Sequence, residues 1–163
     1  MLYELEGKFE VEELEQIKKN ILSTSSLLEK VVEYNMIFPL KNKRYIRVRQ
    51  QNEKKFFWTY KGKPKTSEFN KRLEIEFRIP EFIYDMFFKT TAHIYYEKER
   101  EIYKHPQGKI FLDQISSRDK PLMNFVEIEA KSEENISFIK KQLNILSPNI
   151  TQPYWLLIES KYL

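Results

Sequence analysis

Hydrophobic and polar residues alternate with a period of two over most of the chain, the pattern of β-strands that have one apolar and one polar face. The alternation is clearest in seven segments, at residues 2–9, 45–49, 56–61, 72–79, 94–103, 109–115 and 124–131. Residues 27–38 are less regular and longer, and we interpret them as an eighth strand. The pattern predicts a mainly β fold of the α+β class.

Four segments follow a helical period instead. Residues 11–22 place Leu14, Ile17 and Ile21 on one face, with acids early and lysines late, as the helix dipole favours. Residues 81–88 follow Pro80, and residues 133–143 follow Ser132, a candidate N-cap. Residues 153–161 form the last predicted helix. We therefore expect helices packed on a sheet.

The polar faces of the predicted strands carry charges of both signs, whereas the alternate positions are mostly apolar. The charged positions are Glu4, Glu6, Lys8, Arg47, Arg49, Arg72, Glu74, Glu76, Lys98, Arg100, Glu127 and Glu129. An antiparallel barrel would turn these faces inward to line a charged tunnel and place the apolar faces outward under the helices. The sequence thus predicts an eight-stranded barrel with a charged interior.

Paired carboxylates on one strand face are suited to a divalent metal. Side chains two positions apart, such as Glu4 and Glu6, lie roughly 6.6 Å apart along a strand, so they can share one ion. The chain has no cysteine, which excludes thiolate zinc sites and cysteine nucleophiles. Mg²⁺ commonly binds through one or two carboxylates plus substrate phosphates, and Arg and Lys then neutralise the remaining phosphate charge.

The ordered motifs resemble the CYTH superfamily, also called triphosphate tunnel metalloenzymes. Its N-terminal Glu-x-Glu-x-Lys strand is matched by Glu4, Glu6 and Lys8. The later motifs follow in order, at Arg47-Val48-Arg49, Thr59-Tyr60-Lys61-Gly62, Arg72-Leu73-Glu74-Ile75-Glu76, Lys98-Glu99-Arg100, Leu112-Asp113 and Phe125-Val126-Glu127-Ile128-Glu129. Each motif alone is common, but the ordered set of seven is specific.

The resemblance implies roles for these residues in phosphoryl transfer to water with Mg²⁺ or Mn²⁺. The implied metal ligands are Glu4, Glu6, Glu127 and Glu129, with Glu74, Glu76 and Asp113 placing a second metal or the attacking water. The implied phosphate ligands are Lys8, Arg47, Arg49, Lys61, Arg72, Lys98 and Arg100. Glu4, Glu6, Lys8, Glu76 and Asp113 are thereby the candidate catalytic residues.

The resemblance covers several activities. Hydrolysis of inorganic triphosphate or nucleoside triphosphates is the expected one, and the class IV adenylyl cyclase reaction is the alternative. Many thiamine triphosphatase and cyclase members carry Asp-x-Tyr-[Phe/Tyr]-Asp on the second strand, where this chain has Tyr34-Asn35-Met36-Ile37-Phe38. This departure favours the general triphosphatase. A module that binds polyphosphate or RNA ends without catalysis is a third possibility, opposed by the many acids.

Length and charge set the remaining expectations. A chain of 163 residues with 41% hydrophobic content fits one domain, residues 1–163. No signal peptide or apolar span is evident, so we expect a cytoplasmic protein without a membrane partner. The lysine-rich residues 41–44 and 61–65 lie at predicted turns, so nucleic acid is not an expected partner. The expected partner is a small triphosphate, and family relatives include homodimers.

Overall fold

A computed structural model describes residues 3–65, 67–90, 93–117 and 122–160. Eight strands alternate in part with four helices. The strands are β1 (Tyr3–Glu10), β2 (Ser26–Pro39), β3 (Tyr45–Gln51), β4 (Lys55–Lys61), β5 (Asn70–Ile79), β6 (Ile94–His105), β7 (Gly108–Ser116) and β8 (Met123–Ala130). The helices are α1 (Leu14–Thr24), α2 (Glu81–Phe88), α3 (Glu133–Gln142) and α4 (Tyr154–Ser160).

The strands pair antiparallel in the ring order β1-β5-β4-β3-β2-β6-β7-β8 and close into a barrel. Strand β1 closes the ring, because it pairs with β5 on one side and with β8 on the other. Strand β2 lies four strands from β1 in either direction, so the two strands face each other across the lumen. The predicted fold class is confirmed, and the strand bounds differ from the predicted ones by a few residues at most. Predicted positions Leu2 and Lys161 lie outside the described residues.

The outward face of β1, β7 and β8 is covered by α1 and α3. Apolar residues of these strands and helices form one buried cluster, which includes Phe9, Ile21, Val126 and Ile136. Gly7 permits this contact, because a Cβ at that position would lie 2.9 Å from Ile136 Cγ2. Burying one such side chain contributes about 1.5–3 kcal/mol.

The two other helices cover different parts of the barrel. Helix α2 packs Tyr84 against Val48 and Phe56 on the outer face of β3 and β4. Helix α4 closes one end of the barrel, where Tyr154 and Trp155 join a cluster that includes Tyr45. The predicted N-cap of α3 is confirmed, since Ser132 Oγ accepts a 3.3 Å hydrogen bond from the Asn135 backbone N–H. The predicted first helix begins three residues later than expected, at Leu14.

Candidate active site

Three carboxylates meet on the wall formed by β1 and β8. One oxygen each from Glu4, Glu6 and Glu129 lies within 4.8 Å of the others, and we call these residues the acid cluster. Glu6 and Glu129 are direct cross-strand neighbours in the β1–β8 register. Glu129 therefore lies beside Glu6 on the neighbouring strand and not on the facing side of the tunnel.

The acid cluster has the electrostatics of a metal site. Burial and the nearby Glu6 carboxylate raise the pKa of Glu4 well above its ordinary value. Burial, followed by repulsion from Glu6 and Glu127, raises the pKa of Glu129 against the opposing effect of Arg100. Crowded carboxylate oxygens are the ligands that hard divalent cations prefer, and such a cation would relieve this repulsion. The residues therefore fit a hard divalent cation.

Two cations border the acid cluster on the β4–β5 side. Lys61 Nζ lies 2.7 Å from Glu4 Oε2 and 2.8 Å from Glu74 Oε2. Although burial opposes it, these two carboxylates hold the pKa of Lys61 well above its ordinary value. Arg72 Nη2 donates a 3.3 Å hydrogen bond to Glu6 Oε1. Both cations are thus charged and buried beside the acids.

Two arginines of β3 converge on Glu76. Arg47 Nη2 and Arg49 Nη2 donate to its two carboxylate oxygens at 3.2 and 3.0 Å. Thr59 Oγ1 donates to Glu76 at 2.6 Å. Burial opposes ionisation, but Arg47 and Arg49 hold the pKa of Glu76 below its ordinary value. Glu76 is therefore an ionised acid whose two oxygens hold both arginines.

Asp113 and Glu127 lie apart from the acid cluster and share Arg100. The Arg100 Nε and Nη2 atoms each donate to Asp113 at 2.6 Å, and Nη2 also donates to Glu127 at 2.6 Å. Burial opposes ionisation of Glu127, but Arg100 and Lys8 lower its pKa. The structure thus separates these two predicted metal ligands from Glu4, Glu6 and Glu129.

Glu33 is an interior residue that sequence reasoning missed. It is 1% exposed and lies 2.6 Å from Arg49 Nη1 and 2.9 Å from Lys98 Nζ. Burial opposes its ionisation, but Lys98 and Arg49 hold its pKa well below the ordinary value. The signal was present, because Glu33 and Asn35 alternate with apolar residues as Glu4 and Glu6 do. Val31 and Ile37 lie on the same inner face as Glu33, so both faces of β2 are partly apolar and the alternation of charged and apolar residues is weaker there.

Helix α4 brings a second missed residue to the closed end. Tyr154 donates a 2.9 Å hydrogen bond to Asp113 Oδ2, and its ring lies 4.2 Å from Lys8 Nζ. Lys8 Nζ also donates to the Gln152 backbone carbonyl at 3.2 Å. Burial lowers the pKa of both Lys8 and Lys98. No local sequence pattern links Tyr154 to strands more than 40 residues away.

The opposite end of the barrel is open. A cavity of about 1100 Å³ lies at this end, beside the hairpin between β6 and β7. Its lining includes Glu4, Glu74, Glu76, Lys109 and Glu129. A substrate can therefore reach the acid cluster and its neighbours Lys61 and Arg72 from this end, whereas Lys8 and Lys98 lie farther in, beside Tyr154.

A charged antiparallel barrel with this order of motifs has known relatives. A sequence model of the CYTH domain matches residues 2–149. The chain belongs to the CYTH domain family. CYTH tunnel enzymes are metal-dependent in general, and this member has a cluster of three carboxylates in its tunnel. No curated protein sequence matches the chain significantly.

Solved structures share the CYTH fold with this chain. A Pyrococcus horikoshii protein is 24% identical, with a TM-score of 0.76 and coverage of 94% of this chain and 98% of that one. A conserved hypothetical protein from Pyrococcus furiosus is 21% identical, with a TM-score of 0.78 and coverage of 94% and 99%. A candidate adenylate cyclase from Bacillus halodurans is 18% identical, with a TM-score of 0.64 and full coverage of both chains. At these identities the likeness shows the fold.

Within the part of the chain that the structure describes, none of the helices has the length and apolarity needed to cross a membrane.

Proposed function

We propose that this CYTH protein is a divalent-metal-dependent triphosphatase that hydrolyses inorganic triphosphate, nucleoside triphosphates or both. The observation that supports it is the placement of the acid cluster and the interior cations in one lumen with one open end. A polyphosphate chain carries several negative charges, which the lysines and arginines of the tunnel can bind, and a metal on the acid cluster would offset the repulsion from the carboxylates.

In this proposal the two kinds of charge have separate tasks. Glu4, Glu6 and Glu129 hold the metal, which when bound lowers the pKa of water and neutralises phosphate charge. The cations that bind and orient the phosphates are Lys8, Arg47, Arg49, Lys61, Arg72, Lys98 and Arg100. Because fixed cations stabilise the negative charge on the phosphoryl oxygens, these side chains contribute to the reaction rate as well as to substrate binding.

The remaining acids position these cations. Glu76 holds Arg47 and Arg49 through its two oxygens, and Asp113 holds Arg100 by a bidentate pair. A bidentate pair fixes the plane of a guanidinium, so the free N–H groups of the arginine stay directed into the lumen. In the reaction, a water oxygen forms a bond to phosphorus, the phosphoanhydride bond breaks, the leaving phosphate takes the electron pair of that bond, and the attacking water gives up a proton to solvent.

The cyclase reaction is the second candidate, supported by the size of the open cavity. About 1100 Å³ beside the acid cluster leaves room for a nucleoside outside the cation-lined interior. The protein of the same fold from Bacillus halodurans is described as a candidate adenylate cyclase, and this likeness is the reason for considering the cyclase reaction. A cyclase must also orient a ribose hydroxyl toward the α-phosphate, a positioning task beyond phosphate binding.

A metal titration of the purified protein tests the proposal. We expect phosphate release from tripolyphosphate and from ATP when Mg²⁺ or Mn²⁺ is added, and none after chelation. Chromatography of the ATP reaction separates ADP plus phosphate from cyclic AMP plus pyrophosphate. Cyclic AMP as the main product would establish the second candidate. Tight tripolyphosphate binding without turnover, with either metal at any pH, would instead establish a binding module.

A further inference from the structure

Asn35 carries a buried side-chain amide inside the tunnel. It lies on the inner face of β2 and is 0% exposed. Among the described residues, neither its Oδ1 nor its Nδ2 has a hydrogen-bond partner. A buried polar group left unpaired costs about 1–3 kcal/mol. The fold therefore tolerates a destabilising residue here, which is typical of positions kept for a ligand.

Two neighbours of Asn35 can donate hydrogen bonds to an anion. Arg49 and Tyr96 are its cross-strand partners on β3 and β6. The nearest acid on its own strand, Glu33, is paired with Arg49 and Lys98. Glu33 Oε2 accepts no hydrogen bond among the described residues but lies 2.9 Å from Lys98 Nζ, so the Glu33 charge is already neutralised and the amide N–H remains available to an anion.

Other buried donors in the tunnel are also unpaired. The described residues offer no hydrogen-bond acceptor to Arg47 Nε, Arg72 Nε or Arg72 Nη1. Arg72 lies on β5, next to β1, whereas Asn35 lies on β2, which faces β1 across the lumen. Donors on separate walls can thus contact one tetrahedral group from different sides.

The closed end lies one inward position beyond Asn35. Ile37, the next inward residue of β2, belongs to the apolar cluster of Tyr45, Tyr154 and Trp155. A polyphosphate chain that enters at the open end has no described passage past this cluster. The group that reaches Asn35 must therefore be the end of the chain.

We propose that Asn35 binds the terminal phosphoryl group of the substrate, across the tunnel from the acid cluster. Its Nδ2–H donates to a phosphoryl oxygen without adding another charge. The substrate class is accordingly a linear triphosphate with one unsubstituted end, and triphosphates esterified at both ends are excluded. This inference rests on the proposed triphosphatase function.

Calorimetric titration with tripolyphosphate, in the presence of a chelator, tests the inference without any turnover. The variants are Asn35→Leu and Asn35→Asp, which keep the side-chain shape, and the control is Asn124→Asp, on the outer face of β8. We expect Asn35→Leu to weaken binding about tenfold, the equivalent of one hydrogen bond. We expect Asn35→Asp to weaken it by at least about 100-fold, since a like charge would face the phosphate. The control should bind as the wild type does.

Thermal unfolding of the same proteins separates binding from a structural role. If Asn35 serves a ligand, Asn35→Leu should melt at or above the wild-type temperature while its stabilisation by tripolyphosphate is reduced. Unchanged affinity in both variants would overturn the assignment, and so would a lowered melting temperature with full affinity.

A dinucleoside triphosphate tests the end-group requirement, and we expect it to bind at least about 100-fold more weakly than tripolyphosphate. Equal affinity would overturn this requirement. If the wild type binds no tripolyphosphate at all, the proposed function itself fails. If the wild type and the Asn35 variants bind tripolyphosphate equally, only the inference about Asn35 fails.

Discussion

The ammonium group of Lys61 lies 2.7 Å from a carboxylate oxygen of Glu4. A cation assigned to phosphate and an acid assigned to metal thus neutralise each other in the tunnel wall. Buried charges are tolerated when they are paired in this way. Metal on Glu4 and phosphate on Lys61 would replace that pair by two stronger ones, so metal and substrate should each favour the binding of the other.

Replacement of Glu4 tests the metal assignment. We expect Glu4→Gln to lower kcat by at least about 100-fold, because loss of a metal ligand removes several kcal/mol of charge stabilisation. The apparent affinity for Mg²⁺ should fall as well. Phosphate release measured against Mg²⁺ concentration checks both effects. The matched control is Glu99→Gln, on the outer face of β6, and wild-type kinetics in Glu4→Gln would disprove the assignment.

The acid cluster should give the metal-free protein a characteristic pH dependence. The pKa of Glu129 is higher in the folded protein than in the unfolded chain. Its contribution to the free energy of unfolding is therefore fully present below the unfolded-state pKa and is lost as the pH rises through the folded-state pKa. The free energy of unfolding should therefore fall between weakly acidic and neutral pH. Glu129→Gln should show a smaller fall in urea titrations, and saturating Mg²⁺ should remove the difference. Identical pH profiles for the two proteins would contradict this account.

Glu33 should be essential for the stability of the tunnel. Its replacement in Glu33→Gln leaves Arg49 and Lys98 buried without their shared anion, and we expect a loss of about 3 kcal/mol. Tripolyphosphate should restore part of this loss, because it brings negative charge to the same cations. Urea unfolding with and without tripolyphosphate measures both effects. Glu99→Gln, on the exposed face, should stay within about 0.5 kcal/mol of the wild type.

Arg49 should act mainly on substrate binding. We expect Arg49→Ala to raise KM about tenfold or more, since a hydrogen bond to a charged group contributes about 1.5–3 kcal/mol. The change in kcat should be smaller than the change in KM. Steady-state kinetics with tripolyphosphate give both parameters, and Arg44→Ala in the loop before β3 is the control. A fall in kcat alone would assign Arg49 to the chemical step.

Gly7 should be required by packing and not by chemistry. A methyl group in Gly7→Ala would meet Ile136 Cγ2 and Phe9 Cζ at 2.9 Å. Overpacking of this kind costs about 1–3 kcal/mol. We expect a lower urea midpoint with unchanged kcat for the folded fraction. An unchanged midpoint would show that α3 can shift outward at no cost.

Much of the barrel could be predicted from the alternation of residues. Charged side chains at Glu4, Glu6 and Lys8 on one face of β1, and apolar Leu5 and Phe9 on the other, require a polar interior and a covered exterior. The eight strands were predicted for this reason, and the four helices were predicted from segments that depart from the alternation. Their ends were less certain, because the first residues of α1 and the last of β6 follow no sharp change in pattern.

The candidate site was predictable in its residue types but not in its partnerships. Alternation placed Glu127 and Glu129 on one inner face, yet only Glu129 joins the acid cluster, because the β1–β8 register sets it beside Glu6. Glu127 lies one step farther in and pairs with Arg100. Whether these residues bind metal and phosphate remains a prediction.

Alternation along the chain is enough to specify strands with charged inner and apolar outer faces, because a period of two separates neighbouring side chains locally. Which of the inner charges meet depends on the arrangement of the strands in space. Ring order places β8 beside β1 and β2 opposite it, and no local pattern encodes that order. Likewise, Tyr154 reaches Asp113 only because α4 folds back over one end of the barrel, a contact between residues that are 41 positions apart.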